Sequence, residues 1–212
     1  MDPANGEFSL STVAHRRVQA LINGSTGATL VGIIGGHDLS AITRMVGPIS
    51  SVSATSGKLF PTTVLLGADG KPTDTVLPHA YPDNVAFSGA LANHPGAVVN
   101  GFWRSIPVTG EKNVHRPALL GIIDGQEGVV RFEVFGPANS INIFTPAKVY
   151  LNNEEVTLED APFVGNTGRN WAEFAKGEKG DYPTWEDAVK LHELVHAIEQ
   201  SAEKGVRVTV GA

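Results

Sequence analysis

The sequence predicts an α+β fold, a mostly antiparallel β-sheet with helices packed on one face. Three observations predict it. Twenty-four glycines and thirteen prolines in 212 residues call for many turns, hence many short strands. Two turn signals, Asn93-His94-Pro95-Gly96 and Asp124-Gly125-Gln126-Glu127-Gly128, each lie between apolar runs, as hairpin turns do. One long amphipathic helix ends the chain, followed by alternating valines.

Composition bounds the class. A hydrophobic content of 42% with 18% charged residues is that of a globular protein with a sizeable core. No apolar run approaches the roughly 20 residues that span a bilayer. Met1-Asp2-Pro3-Ala4-Asn5-Gly6 carries neither a basic nor an apolar leader region, so the expected location is cytoplasmic, with no membrane partner. A net charge of −6 argues against a nucleic-acid partner, which would demand a basic stripe. The absence of cysteine excludes disulfides and thiol catalysis.

In chain order, residues 1–27 form an atypical N-terminal segment ahead of a domain at 28–212. Thr12–Asn23 has the spacing of a short helix. Ala28–Ile34 is a mostly apolar run and reads as a buried strand, broken by Gly35-Gly36. His37–Val46 reads as a helix ended by Gly47-Pro48, and Ile49–Ala54 alternates as a strand. Residues 60–82, punctuated by Pro61, Pro72, Pro78 and Pro82, read as an irregular connection containing the turn Ala68-Asp69-Gly70-Lys71. Strands follow at Asn84–Leu91, Ala97–Arg104, Ala118–Ile123, Val129–Phe135, Ile141–Phe144 and Lys148–Leu151. Asn152-Asn153 begins a turn, and Asn170–Lys176 reads as a short helix with Trp171 and Phe174 as its apolar pair.

The closing helix has the clearest local signals. Pro183 and Thr184 start it, the threonine as an N-cap. Glu186 and Asp187 place negative charge in the first turn. Ala188, Leu191, Val195 and Ile198 form one face, widened by Leu194, and Gly205 stops the helix. Val206, Val208 and Val210 then read as a strand. His192-Glu193-Leu194-Val195-His196 matches the zinc-peptidase pattern, in which histidines at i and i+4 share a metal. The competing reading is a solvated stripe of His192, His196, Glu199 and Glu203. It is favoured because a third ligand does not follow at a suitable distance, so no metal is expected.

This segment resembles the C-terminal end of the Gfo/Idh/MocA oxidoreductases. Trp185, Asp187, Ala188, His192, Ala197, Ile198, Glu199, Ser201, Ala202, Gly205 and Val206 stand where that pattern expects them. Ala28-Thr29-Leu30-Val31-Gly32-Ile33-Ile34-Gly35-Gly36-His37-Asp38-Leu39 resembles the family's middle motif. Asp83–Gly89 and Gly121–Arg131 fit its sheet. The resemblance covers residues 28–210, and its flavour is nearest the fungal branch that includes the galactose-regulon repressor. It implies an open-faced sheet that holds a small molecule, pairing subunits through the exposed face into a homo-oligomer.

Two departures shape the functional expectation. Catalytic members carry an acid four residues before the histidine, and here that place is Ile33. An apolar side chain cannot orient an imidazole or share its proton. The family's nucleotide domain is also not read here: no Gly-x-Gly-x-x-Gly occurs, and Gly32-Ile33-Ile34-Gly35-Gly36 has the wrong spacing. The chain alone is therefore expected to bind no cofactor, and NAD(P) enters only with a separate or upstream nucleotide domain.

The expectation is a sugar-like or natural-product binding domain of oxidoreductase descent, carrying redox-neutral chemistry such as isomerisation, elimination or cyclisation. A regulatory or structural binding module is the alternative, and a zinc metallopeptidase a further one. His37 is the candidate acid/base, at a break after an apolar run. Asp38, Trp103, Arg104, His115 and Arg169 are the candidate substrate ligands. The same family pattern would run from Asp2–Gly6 directly into Ala28–Leu30. Residues 7–27 thus read as an insertion, and Gly6-Glu7-Phe8 and Thr26-Gly27 can be encoded with the donor and acceptor of a retained intron.

Overall fold

The computed structural model describes residues 13–15, 29–67, 71–104, 119–134, 148–157 and 165–211. These fall into two compact units, residues 1–109 with 188–212, and residues 110–187.

The first unit is built on a four-stranded antiparallel sheet. Its strands are β2 (Ile49–Gly57), β5 (Asn84–Leu91), β6 (Val98–Arg104) and, at the opposite edge, β11 (Val208–Thr209). Alternation along these strands sends Val52, Val85, Phe87 and Trp103 into the core. On the opposite face Ser53, Ser88 and Asn100 stand in register and exposed, beside exposed Val98 and Phe102. The sheet is open-faced in that sense.

Two helices cover the inner face. Helix α1 (Gly36–Val46) follows a π-type turn, Val31–Gly35, and supplies Leu30, Val31 and Leu39 from this continuous helical run. Helix α3 (Trp185–Lys204) supplies Leu194, Val195, Ala197 and Ile198. Ser201, fully buried, ties α3 to the sheet: its hydroxyl accepts the Ala54 amide at 2.8 Å and donates to the Val206 carbonyl at 2.6 Å.

Within the expected strand, residues 30–34 are therefore helical. Val31, Ile33 and Ile34 favour strands locally, but Leu30 and Val31 gain burial against the core, and burial outweighs the weaker propensity. Thr29 starts the helix, its hydroxyl accepting the Gly32 amide at 2.8 Å and donating to a Glu199 carboxylate oxygen. Residues 60–82 are also more regular than expected. They contain the antiparallel pair β3 (Thr62–Leu66) and β4 (Pro72–Pro78), with its prolines at the strand ends, where a missing N–H costs little. Within the expected N-terminal helix, Val13–His15 is instead a strand, β1, parallel to β3.

The C-terminal helix forms with its expected cap and stop, while the strand expected over 206–210 is confined to Val208–Thr209. Thr184 Oγ1 accepts the Asp187 amide at 3.2 Å while the Asp187 carboxylate accepts the Thr184 amide at 2.9 Å, a reciprocal cap. Gly205, at φ 65°, ends the helix.

The second unit holds an antiparallel sheet ordered β10 (Glu154–Val156), β9 (Lys148–Leu151), β8 (Val129–Val134), β7 (Leu119–Asp124). Asn152 and Asn153, at φ 50° and 70°, make the tight turn between β9 and β10. The strand expected at Ile141–Phe144 lies outside the described residues. Helix α2 spans Gly165–Phe174, beginning earlier than expected. Its Trp171 and Phe174 are 65% and 56% exposed, so the aromatic pair does not enter a core. They meet edge to face at 5.7 Å, and Phe174 meets Tyr182 at 5.2 Å. No helix among the described residues is long and apolar enough to cross a membrane.

Candidate functional site

The first turn of α1 brings three of the candidate residues together. His37 is exposed on this helix. Asp38, the next residue, is fully buried. Successive helical residues differ by about 100° around the axis, so burying one turns its neighbour away from the core. The indole of Trp103, at the end of β6, donates from Nε1 to Asp38 Oδ2 at 2.9 Å. Trp103 is stacked on Phe87, with ring centroids 5.2 Å apart and planes 8° from parallel. Gly35 lets the helix lie close to that indole, since a Cβ there would stand 3.4 Å from Trp103 Cζ2.

Asp38 and Trp103 are thus a buried polar pair supporting the helix, and His37 is the member that meets solvent. Arg104 closes β6 opposite Asn84. Arg169 is exposed on α2 in the other compact unit. His115 lies outside the described residues.

The helical state of residues 30–37 gives Ile33 a new meaning. Ile33 is 38% exposed and stands four residues before His37, about one turn away. The neighbour of the imidazole along the helix is consequently a methyl-bearing surface. Gly32, Gly35 and Gly36 lie inside the helical run, and the Gly32 amide is taken by Thr29. A dinucleotide cradle needs free amides in a loop ahead of a helix. These glycines do not fit a nicotinamide dinucleotide.

A second buried cluster joins β2 to the β3–β4 pair and escaped the sequence reading. Asp83 is fully buried, and its carboxylate accepts the Leu59 and Phe60 amides at 2.8 and 2.6 Å and the Asn84 amide group at 3.0 Å. Lys58 Nζ donates to the carbonyls of His79 and Ala80 at 2.6 and 3.1 Å. His79 Nδ1 is buried without a hydrogen-bond partner, 3.9 Å from Asp83 Oδ2. Burial lowers the His79 pKa, the Asp83 carboxylate opposes that shift and the Lys58 cation reinforces it. Only the side-chain-to-amide pattern of an aspartate after proline could have hinted at this staple, and it is too common to single out.

His192 and His196 are both exposed on α3, away from Leu194, Val195 and Ile198. Among the described residues, no group of three or more histidines and carboxylates could hold a metal ion. A peptidase centre needs three protein ligands, and among the described residues no third one joins this pair.

Comparison with known proteins agrees with the fold. Residues 4–134 match the family model described as Gal80p, C-terminal domain. The chain is 27% identical over 190 residues to the dehydrogenase aclE of Aspergillus oryzae, covering 85% of this chain and 48% of that protein. It therefore spans about half the length of that curated relative. A super-repressor mutant of Gal80p from Saccharomyces cerevisiae superposes with a TM-score of 0.75 at 19% identity, covering 95% of this chain and 55% of that one. Levoglucosan dehydrogenase, solved in complex with NADH and L-sorbose, superposes with a TM-score of 0.63 at 20% identity, covering 90% of this chain and 53% of that one.

Proposed function

The chain belongs to the Gal80p C-terminal domain family, a Gfo/Idh/MocA-type oxidoreductase domain, and from that membership we propose that it holds a sugar-like or natural-product small molecule beside His37. The observation that carries this reading is the contrast between neighbours. Asp38 is anchored inside by Trp103, which holds His37 outward at a fixed place on a rigid element. An imidazole so placed serves as a general acid and base.

With Ile33 where the acid stands in catalytic members, the histidine lacks the usual relay. Because Gly32, Gly35 and Gly36 offer no dinucleotide cradle, the chemistry assigned to His37 is redox-neutral: taking a proton from one carbon or oxygen of the ligand and returning it to another, as isomerisation, elimination or cyclisation requires. The chain alone binds no NAD(P) on this reading. Val98 and Phe102 leave apolar area on the open sheet face, which supports a homo-oligomer formed there.

A regulatory module without catalysis is the second reading, favoured by the exposed Ile33 and by the fold match to the repressor Gal80p. Ligand screening by saturation-transfer NMR against a panel of mono- and disaccharides, with NADH as a separate arm, tests the proposal. The expected result is a sugar-class ligand whose binding or turnover falls roughly tenfold or more in His37→Ala, at an unchanged melting temperature. Ligand binding that ignores His37→Ala supports the regulatory reading, and saturable binding of NADH by the chain alone overturns the cofactor assignment.

A further inference from the structure

The outer side of α3 carries chemistry that the small-molecule reading does not use. His192 and His196 are one helical turn apart, and both are exposed on a helix whose opposite side is locked into the core by Leu194, Val195, Ala197 and Ile198. Side chains at i and i+4 on a helix stand about 5–6 Å apart at Cβ, within reach of one shared ion. Neither imidazole has a hydrogen-bond or ion-pair partner among the described residues.

The two nearby carboxylates are directed elsewhere. Glu199 accepts the Thr29 hydroxyl. Glu193 lies beside the closing turn, with Oε2 3.3 Å from where a Cβ on Gly211 would stand. The positions one turn beyond the pair hold Ala188 and Gln200, so no cation competes along that line.

The geometry points to a two-imidazole surface site for a late divalent transition ion, copper(II) foremost. Copper(II) accepts tetragonal N,O coordination, so two cis imidazoles and water complete it. Zinc in a tetrahedral protein site prefers three or four protein ligands and is held less firmly by this pair. With only two protein ligands the ion exchanges readily and is lost on dialysis against a chelator. The site is therefore distinct from a peptidase centre and independent of His37.

Calorimetric titration of the chelator-stripped chain with CuCl2, NiCl2 and ZnCl2 tests this. The expected result is one copper(II) site per chain, tighter than nickel(II) or zinc(II). His192→Ala and His196→Ala should each weaken it by roughly tenfold or more, about 1.4 kcal/mol per decade. His94→Ala, at an exposed hairpin turn, should leave it unchanged. Saturating nickel(II) should raise the melting temperature of the parent chain and not of the His192→Ala/His196→Ala variant, because only the folded helix presents both ligands. Copper binding that survives both substitutions, or that falls equally in His94→Ala, overturns the assignment.

Discussion

Trp103 and Asp38, 65 residues apart in sequence, meet through a 2.9 Å hydrogen bond from the indole Nε1 to a carboxylate oxygen that has no exposure to solvent. The bond joins the end of β6 to the first turn of α1. It sets the rotation of that helix, and with it the side on which His37 emerges.

Trp103→Phe keeps an aromatic ring over Phe87 and removes the donor. Removing one hydrogen-bond partner of a buried polar group costs about 1–3 kcal/mol. Urea denaturation should show a loss of that size. A double-mutant cycle with Asp38→Ala should return a coupling of roughly 0.5–3 kcal/mol, and additivity would show that the pair contributes nothing as a pair.

Two glycines lie under rings on the neighbouring strand. A Cβ on Gly101 would stand 2.0 Å from Phe87 Cε1, and one on Gly121 would stand 1.9 Å from Phe132 Cζ. Each glycine is directly opposite its aromatic in the ladder. Gly101→Ala should cost about 1–3 kcal/mol, because Phe87 is also stacked on Trp103 and has little room to turn. Gly121→Ala should perturb the second unit's sheet, read as loss of amide protection in β7 and β8. Hydrogen exchange on both variants checks this.

Stability should depend on pH through His79. Burial, the largest influence, lowers its folded pKa below the unfolded value. The unfolded chain then binds a proton more readily than the folded one. This contribution is complete above the unfolded pKa and is lost as pH falls through the folded one. The urea midpoint should fall between about pH 7.5 and pH 5, and His79→Asn should fall less over the same range. Equal slopes in both proteins would remove His79 from this role.

Residues 7–27 are proposed to be an insertion that contributes little to stability. Strand Val13–His15 pairs only with β3 among the described residues, and β3 already has β4 on its other side. Deleting 7–27 should keep or raise the melting temperature, since ordering an unselected segment carries an entropy cost of about 1–2 kcal/mol per residue. A clear fall in melting temperature would show that the segment belongs to the fold.

The elements legible in the sequence are those whose causes lie within a few residues. Helix α3 was readable because its cap at Thr184, its 3.6-residue apolar period and its stop at Gly205 are all local. So were the hairpins around Asn93–Gly96 and Asp124–Gly128, where turn chemistry separates two apolar runs. The start of the helical run at Thr29 was not, because the β-branched residues Val31, Ile33 and Ile34 favour a strand until burial of Leu30 and Val31 decides otherwise. The β3–β4 pair was hidden by prolines that mark loops in general and strand ends in this one. At the site, His37, Asp38 and Trp103 could each be picked out by residue type. Which of them faces solvent and which is buried depends on contacts between residues dozens of positions apart, and only the tertiary structure settles those.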